Sequence, residues 1–321
     1  MRIVALVPGG VGDQIMFFPT LDNLKRCYPQ AQIDIITEPR SKAAYRVNTS
    51  HNNVINFDFR DRNSLADWGN LVGTIREREY DAAITSQPSW ILGLILWLTG
   101  IPKRITFQGK GKGFFSDTVP MNTQKYAAQT YHDLLAGLGI SSSCPDLAIN
   151  IPRADIEWAD NEQKRLLVKD SGYILICPNS CSVAQKKHGD RIYPYENWQQ
   201  IIQKFQEKQP DMQVLVSSDT ESNQSIESIN TFQESLPDTK LTIPGNVGQL
   251  AAMIAGANLM LCTHSSAMHL SVAVQTYTIA LFGSTEPNRF LPPQDKFIGI
   301  KSPTSNVADI SPETVLEKIL G

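Results

Sequence analysis

PGGVGDQIMFFPTLDNL, residues 8–24, follows directly on the apolar run IVALV at residues 3–7. A β-rich run, a glycine-rich turn and apolar residues at helical spacing read as strand, turn and helix. Such a turn usually presents backbone N–H groups to a phosphate. A dinucleotide fingerprint needs G-x-G-x-x-G. Gly10 and Gly12 occupy its first two positions, Ile15 stands at the third, and Glu38 ends the next β-rich run where a ribose-binding acid would lie. A P-loop needs G-K-[ST], which this turn lacks. The turn closes on Asp13, whose charge would repel a phosphate. Asp suits a helix cap or first turn. A carboxylate there also projects beyond the strand's end, so capping and catalytic roles are compatible. Pro19 breaks a regular helix, which predicts a short first turn with a kink or restart.

Outward from this start, strands and helices alternate. Strands are expected at RIVALV, QIDIIT (from Gln32), NVINFD (from Asn53), DAAITS (from Asp81) and KRITF (from Lys103). SLADWGNLVGTIRERE, SWILGLILWLTG and QKYAAQTYHDLLAGLG carry helical spacing. SSSCPDLAINIPRAD, polar and proline-bearing, reads as a linker. The alternation then restarts with strands GYILICP, MQVLVSS, KLTIPG, NLMLCT and TYTIALFG. The helices between and after them are ENWQQIIQKFQEK, TESNQSIESINTFQESL, NVGQLAAMIAGA, SSAMHLSVAV and a closing SPETVLEKILG. This is α/β class: two parallel-sheet domains, 1–150 and 151–321, with the last helix able to pack back on the first. In open parallel sheets ligands bind beyond the strands' carboxyl ends. Chemistry is therefore expected in the loops 8–13, 178–191, 217–221, 263–269 and 283–289.

The 321 residues carry a formal net charge of −3 with both signs interspersed, which argues against broad nucleic-acid binding. The N-terminus has no signal-peptide pattern, so a cytoplasmic protein is expected. WILGLILWLTGIP, from Trp90, is too short to span a bilayer and reads as a buried helix, with an interfacial anchor as the alternative. The five cysteines, Cys27, Cys144, Cys177, Cys181 and Cys262, read as free buried thiols in a reducing compartment. Cys177 and Cys181 have His188 nearby, but no second ligand pair completes a zinc set, so no metal is expected.

Three segments of the second half carry candidate chemistry. PNSCSVAQKKHGDRIYPYENW holds Ser180, Ser182, Lys186, Lys187 and Arg191 between a strand's carboxyl end and a helix start. Any one of these lysines can simply be solvated, but together cations and helix-start N–H groups receive phosphate. CTHSSAMHLSVAV places Thr263, His264, Ser265 and Ser266 before a helix bearing His269. Ser265 or Ser266 is a natural N-cap, and either histidine can be a core residue; two in one helix-start segment point at least one of them to a ligand. LFGSTEPNRFLPP is a loop with Gly283, Ser284, Thr285, Glu286 and Arg289, while Asp219 and Glu221 suit either a ribose diol or an acidic first helix turn.

Taken in order, these segments resemble glycosyltransferase family 9, the heptosyltransferase family of lipopolysaccharide synthesis. The opening GGVGDQIMFFPTLDNLKRCYPQAQIDIIT is similar to that family's Gly-Asp loop, proline-bearing helix and second strand. WLTGIPKRITF, YHDLLAGLGI, ICPNS, YPYENW, PGNVGQLAAMIAGANLMLCTHSSAMHLSVA and IALFGSTEP are similar to its later segments. The resemblance implies the GT-B architecture: two Rossmann-like domains facing across a cleft, acceptor on the first and nucleotide-sugar on the second. Asp13 then matches the catalytic base, so the glycine loop approaches an acceptor sugar rather than a phosphate. Glu221 matches the ribose-binding acid, and Thr263 to His269 match the loop that handles donor phosphate and sugar. His264-Ser265-Ser266 stand where the family has Asp-Ser/Thr-Gly, Arg191 where it has lysine, and Ser217 where it has glycine.

The implied reaction is an inverting transfer of a heptose or other hexose-like sugar from a nucleoside diphosphate donor to a saccharide or glycolipid acceptor of a cell-surface glycan. No cofactor and no metal are expected. Peripheral contact with the inner face of the membrane, no nucleic-acid partner and a monomeric state complete the expectation. The rivals are a non-catalytic member that binds nucleotide-sugar or glycan, a nucleotide-sugar epimerase and a dinucleotide-dependent oxidoreductase. His264 in place of an acceptor carboxylate favours the first, and the missing third glycine disfavours the last.

Overall fold

The computed structural model describes residues 1–59, 63–178, 192–218 and 239–321. The chain divides into two compact units, Met1–Ala148 and Ile149–Gly321. In the first, β1 (Arg2–Val7), β2 (Gln32–Thr37), β3 (Asn53–Asn56), β4 (Ala82–Thr85), β5 (Lys103–Phe107) and β6 (Asp117–Val119) form one sheet in the order β3-β2-β1-β4-β5-β6. In the second, β7 (Tyr173–Cys177), β8 (Gln213–Ser217), β9 (Lys240–Thr242), β10 (Leu259–Thr263), β11 (Thr278–Phe282) and β12 (Phe297–Lys301) are ordered β12-β11-β10-β7-β8-β9. Every pairing is parallel. Counted from its own first strand, each unit has the doubly wound order 3-2-1-4-5-6.

The central strands are buried on both faces, which is why they read as continuous apolar runs rather than alternating ones. One face of the first sheet packs Val4, Leu6, Ile36 and Ala83 against Leu71 and Ile75 of α2 (Leu65–Glu77) and Leu92, Ile95 and Leu96 of α3 (Trp90–Leu98). In the second unit Ile174, Ile176, Val214, Val216, Leu259, Leu261, Ile279 and Leu281 pack against Trp198, Ile201, Ile202 and Phe205 of α6 (Tyr195–Lys208). Beyond α7 (Val247–Ala255), α8 (Ser266–Ala273) and α9 (Pro287–Phe290), the last helix, α10 (Pro312–Leu320), lays Val315 and Leu316 on that same core and pairs Glu313 with Lys204 of α6. It thus packs within its own unit.

Several features depart from the sequence expectation. The first helix, α1 (Val11–Cys27), runs unbroken through Pro19. The proline leaves the Ile15 carbonyl without its helical donor, but Ile15, Phe17, Phe18, Leu21 and Leu24 are all fully buried, and that packing holds the helix together. The helix α5 (Arg153–Arg165) begins inside the expected linker; only Asp155 and Ala159 are buried in it, so it shows no apolar period. The helix α3 is not wholly buried: Trp90, Ile91, Trp97 and Leu98 are exposed. Cys27 is exposed and Cys144 half-buried, while Cys177 and Cys262 are buried. The expected helix at 220–236 lies outside the described residues.

Candidate active site

Strand order reverses between β1 and β4 in the first sheet and between β7 and β10 in the second. Loops leaving the carboxyl ends of strands at such reversals part to either side and open a crevice. The β1–α1 turn with Asp13 occupies the first reversal. The segment from Thr263 to Ser266 occupies the second.

At the first, Gly9 takes φ +135°, and a Cβ there would lie 2.3 Å from Asp13 Oδ2. Gly10 is the N-cap, in extended conformation, and has open space beside its Cα. Its N–H donates to Asp13 Oδ2 at 2.9 Å, so Asp13 caps the helix from the third position rather than from the cap itself. The Tyr131 hydroxyl, from α4 (Ala127–His132), donates to Asp13 Oδ1 at 3.2 Å. Asp13 and Gly12 are half-buried. The backbone beneath is fixed by buried side chains. Gln14 Nε2 donates to Val7 O at 2.9 Å, Tyr45 OH to Gln14 Oε1 at 2.7 Å, and Ser41 Oγ to Gly9 O at 2.6 Å. A half-buried carboxylate held on both oxygens at a helix N-terminus is oriented and reachable, as a proton acceptor must be.

The dinucleotide reading loses its acid here. Glu38 is buried, and its Oε2 is taken by Arg40 Nε at 3.0 Å and Nη2 at 2.8 Å.

At the second reversal Ser265 is the N-cap of α8 (Ser266–Ala273), with no side-chain cap bond. The half-buried His264 stacks on Phe282 at 5.2 Å and 28° and packs on Phe290 at 4.2 Å, with His269 at 5.9 Å. Its Nδ1 lies 3.1 Å from Thr285 Oγ1. Among the described residues, Thr263 Oγ1 and His269 Nδ1 find no hydrogen-bond partner although their residues are only 1% and 3% exposed. Buried polar atoms are rarely left so, and two in one segment point to a polar ligand or ordered water there. Burial, and then the neighbouring His264, push the His269 imidazole down to about 3, so it stays neutral at working pH. Arg289 lies over the Phe290 ring at 5.6 Å, and Lys301 Nζ bonds Thr285 O and Glu286 Oε1, both at 2.9 Å.

The structure therefore brings Thr263, His264, Ser265, Ser266 and His269 together at one helix start, and Gly10, Gly12 and Asp13 at another. Ser180, Ser182, Lys186, Lys187, Arg191 and Glu221 lie outside the described residues, as do Cys181 and His188. Among the described residues no group of three or more metal-ligating side chains is found. Sequence reasoning missed Gly9 and Tyr131. The Gly-Gly pair was a turn signal that the search for a fingerprint passed over. Nothing local marks Tyr131, which reaches Asp13 across 118 positions of chain.

Two all-parallel units of one strand order match the GT-B architecture. The chain belongs to glycosyltransferase family 9 (heptosyltransferase), whose family model matches residues 68–320. It is 24% identical to the chloroplastic photosynthetic NDH subunit of subcomplex B 1 from Arabidopsis thaliana, over 98% of this chain and 72% of that protein. It is 23% identical to lipopolysaccharide heptosyltransferase 3 of Escherichia coli K12, over 86% of this chain and 80% of that one. Its fold is shared with the E. coli heptosyltransferase WaaC solved with ADP-2-deoxy-2-fluoro heptose. There the TM-score is 0.76 at 16% identity, over 100% of this chain and 99% of the other.

Proposed function

We propose that the protein is an inverting glycosyltransferase. It would move a heptose or related sugar from a nucleoside diphosphate donor to a saccharide acceptor of a cell-surface glycan or lipopolysaccharide. The observation that carries this is the Asp13 carboxylate, held by Gly10 and Tyr131 at a sheet's reversal point. An acceptor hydroxyl gives its proton to Asp13 as its oxygen attacks the anomeric carbon. The bond from that carbon to the diphosphate oxygen breaks, and the nucleoside diphosphate leaves. Free N–H groups at the start of α8, with the Thr263–His269 segment, receive the donor, as anions are received at helix starts. No metal takes part in this scheme. The solved relative's ADP-sugar makes an ADP-linked heptose the first donor to try.

The test is a panel of nucleotide-sugars screened by thermal shift. Transfer assays on saccharide acceptors with the stabilising donor follow, and anomeric inversion is read by NMR. Failure of every donor to bind would sink the proposal. Release of an epimerised sugar with no acceptor present would replace it with the epimerase reading.

A second reading is favoured by one observation. By the resemblance, His264 stands where the family carries an acidic residue, and its ring packs on Phe282 and Phe290. A member that keeps the fold and binds without transfer would show such a change. The plant relative, by its name, serves as a subunit of a photosynthetic complex. Binding of donor with no turnover on any acceptor would select this reading.

A further inference from the structure

The helix α3 is apolar on every side. Leu92, Ile95 and Leu96 enter the core, while Trp90 and Trp97 are 54% and 53% exposed beside exposed Ile91 and Leu98. At 100° per residue, positions 90, 91, 97 and 98 share one arc, opposite the buried one. A helix hydrophobic all round normally belongs inside a protein or a membrane. This one has nine residues, about 13 Å against a hydrocarbon core of about 30 Å, so it cannot span. Among the described residues no helix is long and apolar enough to cross a membrane. The exposed arc is therefore suited to lying in an interface, where Trp is the preferred residue.

The charge around it identifies the partner. From 82 to 116 the chain carries four cations, Lys103, Arg104, Lys110 and Lys112, and no acidic residue, although the whole protein is net negative at −3. The loop 108–114 carries exposed Lys110 and Lys112 along α3. Gly111 takes φ +89°, and a Cβ there would lie 2.5 Å from the Trp90 Cα. Phe114 meets the Trp97 ring edge-on at 6.3 Å. The loop is thus clamped to the helix at both ends, and its cations flank the exposed indoles. Aromatic and aliphatic side chains rimmed by lysines match a bilayer's acyl boundary and its anionic headgroups.

We infer that the exposed arc of α3 with the Lys110–Lys112 loop is a contact surface for an anionic lipid bilayer. Such a surface would hold a soluble body against the layer where a glycolipid acceptor lies. The inference does not depend on transfer, because binding is read with neither donor nor acceptor present.

The experiment is co-sedimentation of the full chain with vesicles of phosphatidylglycerol and phosphatidylcholine in equal parts, against phosphatidylcholine alone. The wild type is expected to bind the anionic vesicles, release as salt is raised, and shift its tryptophan emission to the blue on binding. Lys110→Gln/Lys112→Gln, two exposed positions that leave the fold alone, should lower partitioning roughly tenfold or more. Trp90→Ser/Trp97→Ser, checked for an unchanged melting profile, should abolish both binding and the emission shift. Wild type remaining in the supernatant with both vesicle types overturns the inference, as does binding unaffected by the lysine pair. So does a dimer in sedimentation velocity that the tryptophan pair dissolves, with no vesicle binding, since the face would then meet protein.

Discussion

The Tyr131 hydroxyl donates to Asp13 Oδ1 at 3.2 Å while the Gly10 N–H holds Oδ2 at 2.9 Å, so one carboxylate both starts a helix and faces a partner from a second helix. The two tasks separate under substitution. Asp13→Asn keeps an oxygen for the Gly10 N–H and should leave the melting temperature nearly unchanged, because an amide oxygen at this third helical position can accept that bond as a carboxylate does. It removes the proton acceptor and should lower turnover roughly 10²–10⁴-fold with donor affinity retained. Transfer, donor binding and melting measured on one preparation decide it, and near-normal transfer would remove Asp13 from catalysis.

Tyr131 acts through Asp13. Tyr131→Phe removes the hydroxyl's bond to Asp13, worth about 0.5–1.5 kcal/mol, so turnover should fall by a few-fold to about tenfold. In the Asp13→Asn background the same change should have almost no further effect on the residual rate. Additive losses in that double-mutant cycle would show that Tyr131 serves some other purpose.

Gly9 and Gly10, in the turn before Asp13, should respond unequally. Gly9→Ala puts a methyl group at φ +135°, 2.3 Å from Asp13 Oδ2, and must either unwind the turn or push the carboxylate aside. It should cost about 1–3 kcal/mol in stability and lose transfer with it. Gly10→Ala meets open space at φ −81° and should cost under about 1 kcal/mol, the loss of a tolerated cap residue. Chemical denaturation of both variants checks the contrast; equal effects would mean the turn relaxes freely.

These contrasts show where the sequence was informative. The buried strands were legible because both faces of each sheet are covered, so RIVALV or NLMLCT cannot be solvated and shows it in composition. The strand-end loops followed from the alternation, and so did Asp13 and the His264 segment. The helix α5 was not legible because a helix burying only Asp155 and Ala159 has no apolar stripe. The edge strands β6 and β12 were missed because each pairs on one side only and is short or interrupted by glycine. The Tyr131–Asp13 bond is set by how α1 packs on α4, a tertiary fact with no local signature. The unbroken passage through Pro19 is of the same kind.

His269 gives the molecule an acid limb. In the unfolded chain its imidazole binds a proton near pH 6.5, whereas in the fold it stays neutral down to about 3. The unfolded state therefore binds more protons in this window. Stability is complete above about pH 6.5 and declines as pH falls towards 3. His51 and His132 are also held below their ordinary value, by burial first, and act in the same direction. His269→Asn removes only its own share. The gap in stability between about pH 7 and about pH 5 should be smaller in the variant than in the wild type, by urea denaturation at each pH. Parallel profiles would mean that His269 binds its proton in the fold as readily as in the unfolded chain.

His264 offers the sharpest test of the second site. Its ring lies against Phe282 and Phe290 with Nδ1 on Thr285, so it is oriented rather than merely present. If the Thr263–His269 segment receives a nucleotide-sugar, His264→Ala removes one ring face and one polar atom from the pocket. Donor affinity should then fall about tenfold. Thr285→Val leaves the ring in place but unties Nδ1, and should weaken binding less. If the ring is only packing, His264→Ala should lower the melting temperature and leave donor affinity alone. Isothermal titration with the donor found by thermal shift, run on both variants, tells these apart. A drop in stability with unchanged affinity would return His264 to the core and leave Thr263 Oγ1 and the helix start as the remaining claim on the donor.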